Sequence, residues 1–453
     1  MKKSLLALAV GVVATSSAYA SLNTQVPHGD KSLQIANPSG ANGGLCYLPT
    51  HLSGAAFSDK DLKSEGELCG IDSYTNAAVC PKDNSTNPGL NFYTVADGST
   101  IQKEESADCK GQNEKFEAKY KLSTSCSYTP AILAYYHISR ILGDVCNVPV
   151  SVLRTYPLTE HIELAKRGLS LAPSGQLIAQ TWSGLLSQLQ AGRSGSGRDT
   201  LFTSDYQFSY GALSKKPGNE IFYPEAVRKQ KKSTFYGDFF NNGSGEDGRV
   251  IAFRDNNPIV HMLSTNADIG TVIGTDFNQA NVQKFMQVND AANMIILDTL
   301  LSQQDRQGNV AFIQVAVSRG QDGKLEYNRG ISDDQVKQLG AVVVKQMLLK
   351  DNDCGVAKDN IALKVLLYQK IAHLNADVYK RLLLLNKNAD DPSTKAFFES
   401  DLMFTDRDYT TFRTNLKTVT DFLHSACASN RLRLDLDIDA HFSKQVLHNS
   451  CNI

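Results

Sequence analysis

Two apolar runs in the second half of the chain each lead into a polar, acidic loop. The first run, residues 294–301, has helical spacing and is followed by Asp305, Arg306 and Asn309. The second run, residues 342–349, is followed by Lys350-Asp351-Asn352-Asp353-Cys354-Gly355. Phosphoryl transfer needs one carboxylate that orients a hydroxyl and takes its proton, and a second that holds a metal ion on the phosphates. The ordered pair of loops therefore predicts phosphoryl transfer, with two ordinary polar turns as the structural alternative.

A strand and a helix are predicted in the first half. Residues 115–122 alternate apolar and charged side chains, which predicts a half-buried strand with Lys119 and Lys121 on its polar face. Thr129 can cap a following helix, and Pro130 suits its first position. A lysine on an inner strand can hold nucleotide phosphates as a point charge. Lys119 and Lys121 are therefore alternative phosphate-binding residues, and two solvent-facing lysines are the structural alternative.

The rest of the pattern predicts a strand-rich first half and a helical second half. The helix before Asp305 is predicted to begin near Asn289. This order favours an α+β, two-lobed protein with a cleft between its lobes. Strands are predicted at 90–95, 148–154, 208–213, 221–223, 249–254, 259–263, 310–317 and 324–327, and helices at 361–374, 378–385 and 409–427.

The first residues have the pattern of a secretory signal peptide. Lys2-Lys3 precede an apolar stretch over residues 5–13, and Ala18-Tyr19-Ala20 forms a small-residue cleavage site. We therefore predict a secreted or periplasmic protein that is cleaved near Ala20, and no later segment is apolar for long enough to span a membrane. The predicted regions are a signal peptide at 1–20, a loop-rich, disulfide-tied region at 21–100, a strand-rich N-lobe with insertions at 101–265, and a helical C-lobe carrying both loops at 266–453.

The cysteines and the charge narrow the class of protein further. The chain has 9 cysteines and a formal net charge of −1. Because exported proteins form disulfides, we expect several bridges among the cysteines between 46 and 146, one bridge among those between 354 and 451, and one odd thiol. No basic stripe is interleaved with aromatic residues, so a nucleic-acid partner is not expected.

At several of these positions the chain resembles the secreted atypical protein kinases of the Golgi casein kinase type, whose protein-kinase-like fold is related to that of phosphoinositide-kinase-like kinases. Residues 131–142, with Val148-Pro149 after them, are similar to the family's second-helix segment. Asp305-Arg306 is similar to its catalytic loop, and Asp351-Asn352 resembles its metal-binding Asp-Asn. In an alternative alignment, Asp353-Cys354-Gly355 corresponds to the Asp-Phe-Gly of ordinary protein kinases.

The resemblance implies a two-lobed atypical protein-kinase-like fold and an exported enzyme that moves the γ-phosphate of ATP to a hydroxyl, on protein Ser or Thr, with Mg or Mn. It implies that Asp305 is the catalytic base and that Lys121, with Lys119 as the alternative, holds the nucleotide. It also implies metal ligands, which are Asp351 first, Asp353 as the competing choice, and Asn309 as an addition.

The chain departs from the family pattern at the helix and at the phosphate loop. Ile132 stands where the family's helix carries the glutamate that pairs with the strand lysine. Glu163 or Glu117 is a candidate replacement for that glutamate. No Gly-rich phosphate loop precedes Lys119, and Asp97-Gly98-Ser99 is a candidate turn whose occurrence needs no ligand.

A third departure concerns the second metal ligand, which the family places five residues after the catalytic aspartate. That position is Val310 here, and Asn309 lies one residue earlier. Two other hypotheses therefore stay open. A catalytically silent pseudokinase scaffold would use the same fold, whereas a disulfide-stapled secreted adhesin or structural protein would leave Asp305 and Asp351 far apart and dispensable. A kinase would bring their carboxylates within roughly 10 Å of each other.

Overall fold

The computed structural model describes residues 22–110, 114–192, 201–218, 220–223, 273–306, 309–445, 447 and 450–452. The predicted signal peptide and the strands predicted at 249–254 and 259–263 lie outside the described residues, as does the predicted lobe boundary at 265/266. Within the described residues the structure is α+β, as the sequence predicted.

The first sheet has seven antiparallel strands in the order β1-β2-β6-β7-β5-β4-β3. Strand β5, which lies between β7 and β4, carries both predicted lysines, with Lys121 opposite Gly89 of β4 and Ala212 of β7. The strands are β1 (Lys31–Ala36), β2 (Asn42–Leu48), β3 (Ala77–Pro81), β4 (Gly89–Val95), β5 (Glu114–Leu122), β6 (Ser151–Pro157) and β7 (Phe208–Lys215).

The second sheet carries the two acidic loops at its edge. Its strand β9 pairs with β11 on one side, and with β10 and the short strand β8 on the other side. Asp305 precedes β9, and Asp351 follows β11. The strands are β8 (Ile221–Phe222), β9 (Val310–Arg319), β10 (Leu325–Asn328) and β11 (Val342–Leu349).

The described residues form twelve α-helices, and the five that follow β11 make up most of the C-terminal part of the molecule. No helix in the described part of the chain is both long and apolar enough to cross a membrane. The helices are α1 (Asp59–Cys69), α2 (Ile101–Ser106), α3 (Thr129–Ile141), α4 (Leu158–Leu171), α5 (Leu177–Ala191), α6 (Gln279–Leu300), α7 (Asp333–Gln338), α8 (Ile361–Lys364), α9 (Ala376–Asn388), α10 (Pro392–Ser400), α11 (Asp406–Ala428) and α12 (Ile438–Phe442).

Several predicted boundaries were wrong. The region 21–100 supplies four short strands of the first sheet and helix α1, joined by turns and loops. Helix α6 begins at Gln279 instead of near Asn289, because the buried residues of its first turns include polar ones that interrupt the apolar pattern. The helix predicted at 361–374 is only one turn of α-helix followed by a 3₁₀ turn, and the two are separated by Leu366 in a left-handed conformation. Tyr128, and not Thr129, is the N-cap of α3.

Four disulfides are formed, and their arrangement differs from the predicted one. Cys46–Cys69 and Cys80–Cys109 tie the N-terminal region, and Cys427–Cys451 ties the C-terminal region, as expected. The fourth bridge joins Cys126 to Cys354 across a sequence separation of 228. Cys354 therefore pairs with the N-terminal part of the chain, and the odd thiol is the buried Cys146.

Candidate functional site

Lys121 lies between the two aspartates of the second acidic loop. Its Nζ donates a hydrogen bond to Asp353 Oδ2 at 2.8 Å and another to Asp351 Oδ1 at 3.0 Å. The side chains of Lys121 and Asp353 are 8% and 3% exposed, whereas that of Asp351 is 26% exposed. The two alternative family alignments, on Asp351 and on Asp353, thus converge on one ammonium group.

Close backbone contacts hold this loop between the start of helix α3 and the end of helix α6. The backbone N–H of Tyr128, just before α3, donates to the carbonyl of Asp353 at 2.8 Å. Asp351 itself has a left-handed backbone with φ +47°, which is uncommon outside glycine and typical of functional sites. Gly355 packs so closely that an added Cβ would lie 2.8 Å from the Leu301 carbonyl oxygen. The loop's shape is therefore set by close packing on both sides.

The electrostatics of the pair follow from its burial. Burial alone lowers the pKa of Lys121, but the carboxylates of Asp353 and Asp351 outweigh it, so the pKa of Lys121 is raised above its usual value. Burial alone raises the pKa of Asp351. The nearby ammonium groups of Lys121, Lys119 and Lys82 outweigh burial, so the pKa of Asp351 is lowered below its usual value. Both groups are therefore charged in the folded protein at neutral pH.

A buried ion pair positions the first acidic loop. Arg306 and Asp298 are both fully buried, and the guanidinium Nη2 of Arg306 lies 2.7 Å from Asp298 Oδ1. Tyr135 of α3 donates its hydroxyl to the same carboxylate at 2.7 Å. Arg306 Nη1 also donates to the carbonyls of Asn309 and Lys350. One arginine therefore links helix α6, the Asp305 loop and the end of β11.

Asp305 is exposed to solvent and is not among the residues that line the cleft. Partial desolvation raises the pKa of Asp305, and the charges of Asp353 and Asp351 raise it further. The charges of the second loop therefore act on the carboxyl group of the first. Asn309 donates its side-chain amide to the Asp305 carbonyl at 2.7 Å, and its own carbonyl accepts from the Lys350 N–H. Asn309 therefore lies between the two loops.

Lys119 occupies the same cleft but has a different partner. Its Nζ lies 2.8 Å from Glu220 Oε1, and Lys350 Nζ lies 3.3 Å from Glu220 Oε2. Burial raises the pKa of Glu220, but Lys119 and Lys350 outweigh that effect and lower it. Sequence reasoning missed Glu220, because it lies in a short polar stretch that has no motif.

The helix glutamate of the family is not replaced by either predicted residue. Ile132 of α3 is 8% exposed and contributes an apolar side chain to the cleft wall. Glu163 pairs with Lys166 on the surface of α4, and Glu117 pairs with Lys115. Both suggested replacements are therefore wrong, and among the described residues the acidic partners of Lys121 come from the loop after β11.

The turn between β3 and β4 covers the same site. Lys82 follows β3 directly, and its backbone N–H donates to the carbonyl of Gly89, the residue opposite Lys121. Burial lowers the pKa of Lys82 to about 8, even though Asp351 opposes the shift. Asn87 in the same turn donates to Asp353 Oδ2 at 3.4 Å. The turn at residues 97–99 lies instead between β4 and α2, so it does not form this cover.

The cleft between the sheets is partly open, and its cavity volume is about 50 Å³. Carboxylate and amide oxygens are the ligands that Mg²⁺ and Mn²⁺ prefer, and Asp351, Asp353 and Asn309 supply that type of donor. Asn352 in the cleft wall has a buried Oδ1 without a hydrogen-bond partner. Among the described residues, no three His, Cys, Asp or Glu side chains converge as a preformed metal centre. The donors therefore fit a hard cation in kind, and Lys121 holds two of them.

The chain is similar to known proteins in structure. No protein-family model matches the chain, and no curated protein matches it. Among solved structures, it is similar to the crystal structure of the Golgi casein kinase with Mn/ADP bound, at 13% identity and a TM-score of 0.40, over 86% of this chain and 80% of that one.

Proposed function

We propose that the protein is an exported, metal-dependent phosphotransferase that moves the γ-phosphate of ATP to a hydroxyl group, on protein Ser or Thr. The observation that carries this proposal is the buried Lys121, which donates hydrogen bonds to both Asp351 and Asp353. The charges of these two aspartates also raise the pKa of Asp305. A cation, two acidic loops and an open cleft are the parts that phosphoryl transfer requires.

In this proposal Lys121 and Lys82 bind the phosphates. Lys121 lies on β5 and Lys82 directly follows β3 of the same sheet, and the backbone of Gly89 contacts both residues, as the strand partner of Lys121 and as the acceptor of the Lys82 N–H. A Mg²⁺ or Mn²⁺ ion, when bound, neutralises charge on the phosphates, and Asp351, Asp353 and Asn309 are the residues that would hold it. Lys121 must then exchange at least one of its carboxylate partners for a phosphate oxygen.

Asp305 would orient the acceptor hydroxyl and take its proton as the new oxygen–phosphorus bond forms and the bond to the leaving diphosphate breaks. Its raised pKa makes it a stronger base than an ordinary surface aspartate, and its exposure leaves room for a protein substrate. Arg306, which is buried and paired with Asp298, would hold this loop in place without touching the substrate.

A catalytically silent scaffold of the same fold is the second candidate. Two observations favour it, namely the apolar Ile132 in the cleft wall and the aspartates already paired with Lys121. Such a protein need not transfer phosphate, and it need not bind metal with nucleotide.

The test is thermal melting of the mature, oxidised protein with ATP plus Mn²⁺ or Mg²⁺, beside the Asp351→Ala, Asp353→Ala double variant. A metal-dependent rise in Tm in the wild type, absent in the double variant, supports a nucleotide site at this loop. Labelled-ATP transfer to a mixed protein substrate, lost in Asp305→Asn with Tm shift retained, would then separate an enzyme from a scaffold. No shift at millimolar ATP with either metal would reject the phosphotransferase.

A further inference from the structure

Glu220 occupies the place where the chain crosses from one sheet to the other. Strand β7 ends the first sheet at Lys215, and β8 begins the pairing of the second sheet at Ile221. Glu220 is the residue before β8, and it lines the cleft together with Lys119 and Lys350. Its position is therefore tied to both sheets at once.

Each carboxylate oxygen of Glu220 serves a lysine from a different sheet. Oε1 lies 2.8 Å from Lys119 of β5 in the first sheet, and Oε2 lies 3.3 Å from Lys350, which follows β11 in the second sheet. All three side chains are between 18% and 19% exposed, so the bridge is largely withdrawn from solvent. An ion pair at this depth is screened less by solvent than one on the surface.

Asp351 lines the same cleft as these two lysines. The positive charge of Lys119 already acts on the Asp351 carboxylate, together with those of Lys121 and Lys82. Lys350 is adjacent to Asp351 in the chain. Without a carboxylate at position 220, two more ammonium groups would be free to turn toward Asp351 and compete with a cation there.

We propose that Glu220 is a positioning residue which holds Lys119 and Lys350 away from Asp351, and so keeps that carboxylate available to a divalent metal ion. This inference rests on the proposed function, and it gives the cleft an acidic residue from the crossing segment in place of a helix glutamate. Glu220 acts through the lysines and does not itself contact metal or nucleotide.

The experiment measures Mn²⁺ binding to the mature, oxidised protein by isothermal titration calorimetry, without and with ATP. Glu220→Gln keeps the side-chain shape and removes the charge, and we expect it to weaken Mn²⁺ binding by about tenfold or more, as loss of a residue behind a metal ligand does. The double variant Glu220→Gln, Lys119→Met removes the main competing ammonium group as well. We expect it to bind Mn²⁺ more tightly than Glu220→Gln alone.

The matched control is Glu117→Gln, because Glu117 lies on the same strand as Lys119, is 25% exposed and pairs with Lys115 outside the cleft. It should leave Mn²⁺ affinity at the wild-type value. Recovery in the double variant separates positioning from structural damage, since a damaged fold does not recover when a second side chain is truncated. Wild-type Mn²⁺ affinity in Glu220→Gln, or no recovery in the double variant, would overturn the role of Glu220 and leave the phosphotransferase standing. Absence of Mn²⁺ and ATP binding in the wild type would reject both.

Discussion

The side-chain nitrogen of Lys121 lies 2.8 Å from Oδ2 of Asp353, although 232 positions separate the two residues in the chain. This contact joins strand β5 of the first sheet to the loop that leaves the second sheet. Both side chains are almost completely buried, so each depends on the other for its charge to be tolerated. The candidate site and the packing of the two sheets are therefore one structural feature.

The first prediction concerns the stability of this contact. Lys121→Met should lower the free energy of unfolding by roughly 3 kcal/mol, because it leaves the buried Asp353 carboxylate without its cation. Lys119→Met should cost about 1 kcal/mol or less, since its partner Glu220 is more exposed and keeps Lys350. Urea unfolding of the oxidised proteins measures both values. Equal losses in the two variants would show that Lys121 has no special structural role.

The second prediction concerns the ion pair behind the Asp305 loop. Arg306→Met should destabilise the protein by about 3–5 kcal/mol, because Asp298 would remain buried and charged without its partner. Adding Asp298→Asn should recover a large part of that loss, because the uncompensated charge is then gone. Denaturant unfolding of the two single variants and the double variant completes the cycle. Additive losses would contradict a coupled pair.

The third prediction concerns the Cys126–Cys354 bridge, which joins the loop after β5 to the loop after β11. Because Tyr128 and Gln304 also bind the backbone of residues 353 and 354, this bridge stabilises the part of the chain that carries Asp353. The Cys126→Ala, Cys354→Ala double variant should lose most of the Tm shift given by ATP with Mn²⁺.

The matched control for that bridge is Cys427→Ala, Cys451→Ala, which opens a local loop in the C-terminal region with a sequence separation of 24. It should lower the ligand-free Tm and keep the ligand shift. On chain entropy alone, the long-range bridge contributes roughly 5 kcal/mol and the local one roughly 3 kcal/mol. Retention of the full ligand shift in the Cys126, Cys354 variant would separate the bridge from the site.

The fourth prediction concerns pH. Burial raises the pKa of Asp290 in α6 to about 7, although its carboxylate accepts a hydrogen bond from the Met347 N–H at 2.8 Å. The folded protein therefore binds this proton more tightly than the unfolded chain, whose aspartate titrates near 3.9. The contribution of Asp290 to stability is full below about pH 4 and decreases as the pH rises toward 7.

Asp290→Asn keeps an acceptor for Met347 and cannot ionise. Its Tm should differ little from that of the wild type at pH 4, and its advantage over the wild type should grow as the pH rises to 8. Melting curves at several pH values give the difference directly. A constant difference between the two proteins across this range would mean that Asp290 does not titrate as a buried group.

The sequence by itself determined the local elements with strong periodicity. The alternation over residues 115–122 determined β5 and the shared face of Lys119 and Lys121, since strand side chains point to opposite faces in turn. The helical spacing of the apolar run before Asp305 predicted α6, whereas the run before Asp351 indicated only an apolar element, which is strand β11 in the structure. The α+β class followed from the order of the predicted strands and helices. The candidate residues Asp305, Asp351 and Asp353 were identified because acidic loops after buried runs are unusual enough to stand out.

The tertiary structure alone decided which of these residues meet. Periodicity is local, whereas the choice between Lys119 and Lys121 depends on what faces them from 101 and 232 residues away, namely Glu220 and Asp353. Lys82, Asn87 and Glu220 carry no motif, and strand pairing and the crossing between sheets bring them to the cleft. The pairing of Cys126 with Cys354 was likewise hidden, because a disulfide depends on the distance between two folded segments, and spacing in the sequence does not encode that distance.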